Sequence, residues 1–453
     1  MKKTPREQRG DVRVKLAERQ QVEMRCLSLD QLIRDDALVR TVVAFAETID
    51  LSELYASMQA TRHTTGRSNI DPRILFSMWL FATLEGINSA RRIDELATRD
   101  VAYMWICGGV SVNYHTIADF RSNNAELLER CLTDSIATLH REDLVRLETI
   151  AQDGMRVRAS AGSGSFRRKK SLDEAKQVAQ EFYDRVCNRD DDDDENDSPN
   201  PGSKAARKRA ARKRAAREKL ERIEAAGDEL AKMQDAYEKR NARVGEKNRR
   251  SEPRASTTDP EARRMKMGDN GTRAAFNSQF ASDVDTQVIV QAGVCNVGSD
   301  AGQMQPMYDS VCATYGSVPS KYLADGGFSK KAGVTHVERN GTAFYGPLYN
   351  EQKELDSGND PYAPRKGEDE FYTSFRQRMG TQEAKDIYRQ RAAAAEFPNA
   401  TCRNQGLHQF SVRGLLKAKA QLLLHALAHN FRRFMNLMDT NSDRNYLEIV
   451  MAG

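Results

Sequence analysis

Hydrophobic positions along the chain change period three times, and each change predicts a different kind of element. From Asp71 onward they fall at helical spacing: Ile74, Leu75, Met78, Phe81 and Ala82 follow a capping Asp71 and a proline, Pro72, at the first helical position. Ser89 is placed to cap a second helix through Ile93 and Leu96, and Asp100 a third through Met104. A Gly108-Gly109 turn leads to a fourth around His115 to Phe120. A longer amphipathic run, Glu126 to Leu147, carries Leu127, Leu128, Cys131, Leu132, Ile136 and Leu139 on one face. The period then drops to two. Met155, Val157 and Ala159 alternate with Arg156 and Arg158, which predicts a half-buried strand, and Asp153 shares the buried parity. A desolvated carboxylate would rise in pKa and lose its charge, whereas a divalent cation would keep it ionised; Asp153 is therefore a candidate metal ligand. An aspartate that simply ends a strand before Gly154 is the other reading.

Between Phe166 and Met265 aromatic and β-branched residues nearly vanish. Leu172, Ala175, Val178, Phe182 and Val186 keep helical spacing into the acidic run Asp190 to Glu195. Beyond two prolines, Lys204 to Lys219 holds nine basic residues and one acidic. Leu220, Ile223, Ala226, Leu230, Met233 and Tyr237 then form a heptad-like seam, so the segment reads as two helices folded into an antiparallel arm with a disordered acidic tip. The arm is either a solvated hairpin packing on itself or a DNA clamp that neutralises phosphates. Sheet patterning then resumes. Ala274–Asp283 and Asp285–Cys295 predict a hairpin, Gln303–Tyr315 a helix, Lys321–Asp325 a short strand ending in an acid before Gly326-Gly327, and Phe344-Tyr345 another strand. Gln382 to Ala395 predicts an Ala-rich helix ending near Glu396, and Leu415 to Phe434 a further helix.

Asp153 on the first strand, Asp325 at the end of the fourth and Glu396 on a late helix thus stand at the edges of a mixed unit, and open sheets place their sites at the carboxyl ends of their strands. Two divalent ions ~3.5–4 Å apart need several such acids. Removing residues 166–265 brings Asp153 and Asp325 within one strand–hairpin–helix–strand unit, so the arm is an insertion in a single domain. The expected organisation is a polar lead-in (1–67), a helical domain (68–146), a mixed domain (147–165 and 266–435), the charged arm (166–265) and a C-terminal tail (436–453). The fold class expected is α+β or α/β.

Composition narrows the chemistry. The 453 residues are 39% hydrophobic and 30% charged with a formal charge of +5, which permits an anionic partner without demanding one. Seven scattered cysteines form no C-x-x-C pair, arguing against a zinc ribbon or a disulfide framework and for a reducing cytoplasm. The most apolar run, Ile74 to Leu84, falls short of the ~20 residues that span a bilayer, and the N-terminus shows no signal-peptide core. With 7% aromatic residues and two tryptophans, Trp79 and Trp105, a sugar cleft is disfavoured. Gly162-Ser-Gly-Ser lacks the Lys-Ser/Thr of a phosphate loop, and His425 and His429, though at i, i+4, lack a metalloprotease glutamate and sit among leucines; packing is their expected role. Contiguous acids such as Asp190 to Glu195 cannot hold a fixed geometry.

The strand before Asp153-Gly154, the segment Lys321 to Phe328, and Tyr388 to Asn399 with Arg403 and Gly406, followed by Phe410 to Lys417 and His429-Asn430, resemble a bacterial insertion-sequence transposase of the DDE class. Residues 71–132 resemble the helical N-terminal domain of those proteins. The resemblance covers roughly residues 68–435. It implies an RNase H-like mixed sheet flanked by helices, holding two Mg²⁺ (or Mn²⁺) ions on Asp153, Asp325 and Glu396, which hydrolyses the phosphodiester at each element end and joins the freed 3′-OH to target DNA. It also implies backbone contacts from Tyr388, Arg391, Arg403, Arg413 and Lys417, while Arg91, Arg92 and Arg121 of the helical domain are available for phosphates. Double-stranded DNA is the implied partner, bound by a homodimer or higher oligomer, in the cytoplasm at the nucleoid and without a membrane. Where the family has a lysine seven residues after the glutamate, this chain has Arg403, a different phosphate geometry. A catalytically silent DNA-binding protein of the same fold is the alternative, and the intact acid set favours activity.

Overall fold

The computed structural model describes residues 26–58, 69–192, 204–246 and 251–440, with isolated positions 17, 19, 20, 22 and 249. Seven helices come first: α1 (Leu38–Thr48), α2 (Ser52–Ser57), α3 (Pro72–Leu84), α4 (Ala90–Leu96), α5 (Val101–Cys107), α6 (Tyr114–Asn123) and α7 (Ala125–Arg141). Their starts obey capping chemistry. Asp71, Ser89, Asp100 and Asn113 each accept a first-turn backbone N–H, and Gly108 ends α5 in the left-handed conformation that glycine adopts without strain. One helix was not legible: α1 lies inside the expected polar lead-in, yet it buries Val39, Val42, Phe45 and Ala46. The Leu27–Ile33 patch yields only a 3₁₀ turn, Asp30–Leu32.

A mixed sheet follows. β1 (Thr149–Arg158) pairs antiparallel with β5 (Thr272–Asp283) and parallel with β7 (Lys321–Ala324), which pairs parallel with β8 (Ala343–Tyr345). On the far side of β5 lie β4 (Arg263–Lys266) and β6 (Ile289–Cys295), end to end along the same strand. Between β1 and β4 runs the arm, α8 (Lys169–Asp192) against α9 (Lys204–Asn241), rooted by the two-residue strands β2 (Phe166–Arg167) and β3 (Ala255–Ser256). The arm has its own small core of Leu172, Ala179, Leu220, Ile223, Ala226 and Leu230, and Lys176 pairs with Glu224 across it, as an antiparallel hairpin requires. Its acidic tip, from residue 193, lies outside the described residues. The arm is shorter than the 166–265 expected from composition. β4 belongs to the main sheet, and the buried Asp259 and the half-buried Glu261 accept the N–H groups of Gly414 and Leu415.

The remaining helices, α10 (Met304–Tyr315), α11 (Lys331–Arg339), α12 (Glu351–Asp356), α13 (Glu370–Met379), α14 (Gln382–Arg391), α15 (Phe397–Asn404) and α16 (Leu415–Thr440), cover the sheet. α16 packs on α3, α6 and α7 as well as on β6. One apolar core therefore runs from the N-terminal helices through the sheet, with Phe45 of α1 edge-on to Phe431 of α16. The whole is mixed α and β around a curled sheet, consistent with an α+β class.

Candidate active site

The register of two parallel strands builds the site. Gln152 of β1 pairs with Ala324 of β7, so the next residues, Asp153 and Asp325, emerge side by side from strands roughly 4.8 Å apart. After β7 the chain folds tightly over Asp325: the Gly327 N–H donates to its Oδ1 at 2.7 Å, and a Cβ on Gly327 would lie 2.9 Å from that oxygen. A larger residue there would push the Asp325 carboxylate aside.

Glu396 comes from the helical layer. α14 and α15 are joined without a loop by a π-helical turn, Ala392–Glu396. The sequence predicts that this helix ends near Glu396; it continues to Asn404, with Pro398 in the first turn of α15, where a missing N–H is tolerated. In a regular helix, at about 100° per residue, Arg391 and Glu396 would diverge by about 140°. The wider turn returns them to one face, where Arg391 pairs with Glu396 while reaching the two strand acids. Arg391 lies among three carboxylates: its guanidinium is 3.2 Å from Asp153 Oδ1, 3.8 Å from Asp325 Oδ2 and 3.4 Å from Glu396 Oε1. Side-chain exposure climbs from 16% at Asp153 through 41% at Asp325 to 63% at Glu396, so the cluster opens to solvent on the Glu396 side.

Asp153 is held from three directions. It accepts from its neighbour Gly154 N–H at 2.9 Å, from Arg391, and from Asn399 Nδ2 at 2.9 Å. Burial pushes its carboxyl above the usual range, while Arg391 and the Gly154 N–H pull the other way. Behind the strand lies a polar layer. Asp300 accepts from Asn277 and Gln279 at 2.8 and 2.9 Å and from Arg156, and Gln279 accepts from Gln152, which accepts from Tyr322. A Cβ on Gly154 would lie 2.3 Å from Gln279 and 2.5 Å from Asp300, so this glycine lets the layer close beneath Asp153.

The expected DNA contacts divide. Tyr388 is half-buried beside Arg391, its hydroxyl pushed up by burial. Arg403, Arg413 and Lys417 are exposed, although Arg413 also donates to Ser160 O. Arg91 is exposed over the Tyr114 ring, and Arg92 is exposed but paired with Glu95 at 2.6 Å. Arg121 corrects the sequence reading: it is 3% exposed, stacked 4.1 Å over Trp79, donates to Asn88 O, and is pushed down to about 10 by burial. It packs the core and offers nothing to a phosphate. His425 and His429 are buried, with Nε2 facing Asn88 Oδ1 and Gln287 O, so both pack. The sequence reading gave no role to Asn399, though it closes the Tyr388 to Asn399 motif, and did not single out Asp300, Gln152 and Gln279, whose scattered side chains gave no pattern signal.

Two family models match the chain. One is described as a transposase domain (DUF772), over residues 27–123; the other is a transposase DDE domain, over residues 365–435. The first spans α1 to α6, and the second holds Tyr388, Arg391, Glu396, Asn399, Arg403, Arg413 and Lys417. The two matches together support an insertion-sequence transposase of the DDE class, hence a DNA transposase. No curated protein and no solved structure matches. Among the described residues no helix is long and apolar enough to cross a membrane.

Proposed function

We propose that the chain cuts DNA at the ends of an insertion sequence and joins the freed 3′-OH to target DNA, using Asp153, Asp325 and Glu396 as its metal-holding acids. The single observation that carries this is the convergence of these three carboxylates from β1, β7 and the π turn on one guanidinium. The strand order β6-β5-β1-β7-β8, with β5 antiparallel to its neighbours, supports an RNase H-like reading of the sheet.

The donor set fits a hard divalent ion such as Mg²⁺ or Mn²⁺, because every donor is a carboxylate oxygen. Among the described residues no group of three or more His, Cys, Asp or Glu stands close enough to hold an ion, and Arg391 lies between the acids. When bound, divalent ions supply Lewis acidity and stabilise charge on the attacking and leaving oxygens of an in-line displacement. The chain's own part is to position: Asp153 and Asp325 are fixed by strand register, Glu396 by the π turn. Arg391 holds countercharge at the carboxylates and can offer it to a phosphate nearby. Tyr388, Arg403, Arg413, Lys417, Arg91 and Arg92 form the DNA-facing set. A cleft of about 620 Å³ at the arm's root, lined in part by Arg240, Arg254 and Arg264, adds basic surface. Two element ends call for a dimer or higher oligomer on duplex DNA.

Asp153→Asn, Asp325→Asn and Glu396→Gln should each remove Mg²⁺-dependent cleavage of a labelled duplex carrying the element's own ends. Binding should be kept or slightly tightened, since each change deletes a negative charge beside a polyanion. Because the acids act as one unit, pairs of changes should cost little more than single ones. Wild-type cutting by any one variant would exclude that residue from the site.

A further inference from the structure

Resting on that reading, we propose that Asn399 is a positioning residue, a strut that fixes the Asp153 carboxylate of the sheet relative to Glu396 of the helical rod. Asn399 lies three residues beyond Glu396, close to the same helix face, and Arg391 lies five before it across the π turn. The rod therefore grips Asp153 by two donors that bracket Glu396: Asn399 Nδ2 on Asp153 Oδ2 at 2.9 Å, and Arg391 on Oδ1 at 3.2 Å. The spacing between the strand acid and the helix acid is set by these two bonds.

The two donors are not equivalent. Arg391 is shared among three acids and is free to redistribute when other charges arrive. Asn399 is 6% exposed and makes one side-chain bond, to Asp153; its Oδ1 is buried without any partner. An orphaned buried acceptor costs on the order of 1–3 kcal/mol, so this placement is not optimal for stability alone. The carboxylate also fixes the amide's orientation, because a flipped amide would set oxygen against oxygen. Asp153 thus keeps Oδ2 directed by a neutral donor that adds no charge to compete with a cation, leaving the carboxylate's remaining lone pairs for a ligand. Groups that orient a ligating carboxylate in this way typically change metal affinity or activity 10–100-fold when removed.

The test uses full-length protein with Asn399→Ala, which deletes the donor without adding bulk. Mn²⁺ affinity is measured by calorimetry without DNA, and the Mg²⁺ concentration for half-maximal cleavage is measured on the end-bearing duplex. Both constants should weaken about tenfold or more, with high Mg²⁺ restoring much of the cleavage. Wild-type values for both would overturn the proposal, as would a lost activity that no Mg²⁺ concentration restores while Mn²⁺ affinity is unchanged. If circular dichroism shows the alanine variant unfolded, Asn399→Ser takes its place with the same outcomes. Asp153→Asn runs in parallel: if it binds Mn²⁺ and cuts as wild type, the metal-site reading itself falls. If it is inactive while Asn399→Ala is normal, only the strut falls.

Discussion

At the residue scale, ligand-like spacing or a charged side chain does not by itself make a site. His425 and His429 have metal-ligand spacing, yet burial lowers them to about 3 and about 4. With Nε2 donating to an oxygen in each, both Nδ1 atoms are buried and bare, so protonation in the folded state would strand a charge. The folded values lie below the unfolded value near 6.5, so their contribution to stability is complete above that pH and is lost as pH falls toward 4 and 3. The loss approaches about 1.4 kcal/mol per pH unit for each histidine. Urea midpoints measured from pH 7 to 5 should fall accordingly, and His429→Gln should flatten the profile; an unchanged slope would place the titration elsewhere. Arg121 teaches the same lesson. On pattern it belongs with Arg91 and Arg92, but a stack on Trp79 makes it a core residue.

At the element scale, the π turn is the feature most tied to the proposed function, and a run of four alanines hides it. Alanine is the best helix former, so Ala392–Ala395 predicts only more helix, with nothing to mark a wider turn. The widening goes with a tertiary contact: Arg391 reaches the strand acids while pairing with Glu396, and Ala394 and Ala395 are buried. Deleting Ala393 would leave Arg391 and Glu396 four apart on a regular helix, still on one face, so cleavage should survive at reduced rate. Inserting an alanine there turns Glu396 by about a further 100° and should abolish cleavage with an unchanged circular dichroism spectrum. Equal activity of the two variants would show that the turn does not set Glu396.

At the scale of the molecule, the arm stands apart and the rest is bound together. Arm packing rests on its own cluster, while the core from α1 to α16 is continuous. Asn88 ties the first half to the last: it donates to Gln405 O, accepts from His425, and its carbonyl accepts from Arg121 and Ser411. Arg167 and Ala255 are paired across the arm's root, so a short Gly/Ser linker can replace Lys169–Pro253 without strain. That protein should remain folded and unfold in one cooperative transition. Loss of its near-native circular dichroism would make the arm integral. Extending the deletion through Glu261 should cost stability, because Asp259 and Glu261 hold the start of α16.

Sequence by itself determined most of the local elements and named the candidate acids. Caps at Asp71, Ser89 and Asp100, the alternation around Asp153 and the seam from Leu220 to Leu230 are governed by neighbours within a turn or a pleat, and such short-range rules can be read along the chain. Tertiary structure decided what depends on partners far away. Register between β1 and β7 set Asp153 beside Asp325, the docking of α16 set Phe431 against Phe45 of α1, and the docking of the α14–α15 helix placed Asn399 on Asp153. Each of these is a contact between residues a hundred or more positions apart, or its local consequence, and no periodicity along one chain records which distant group will be its neighbour.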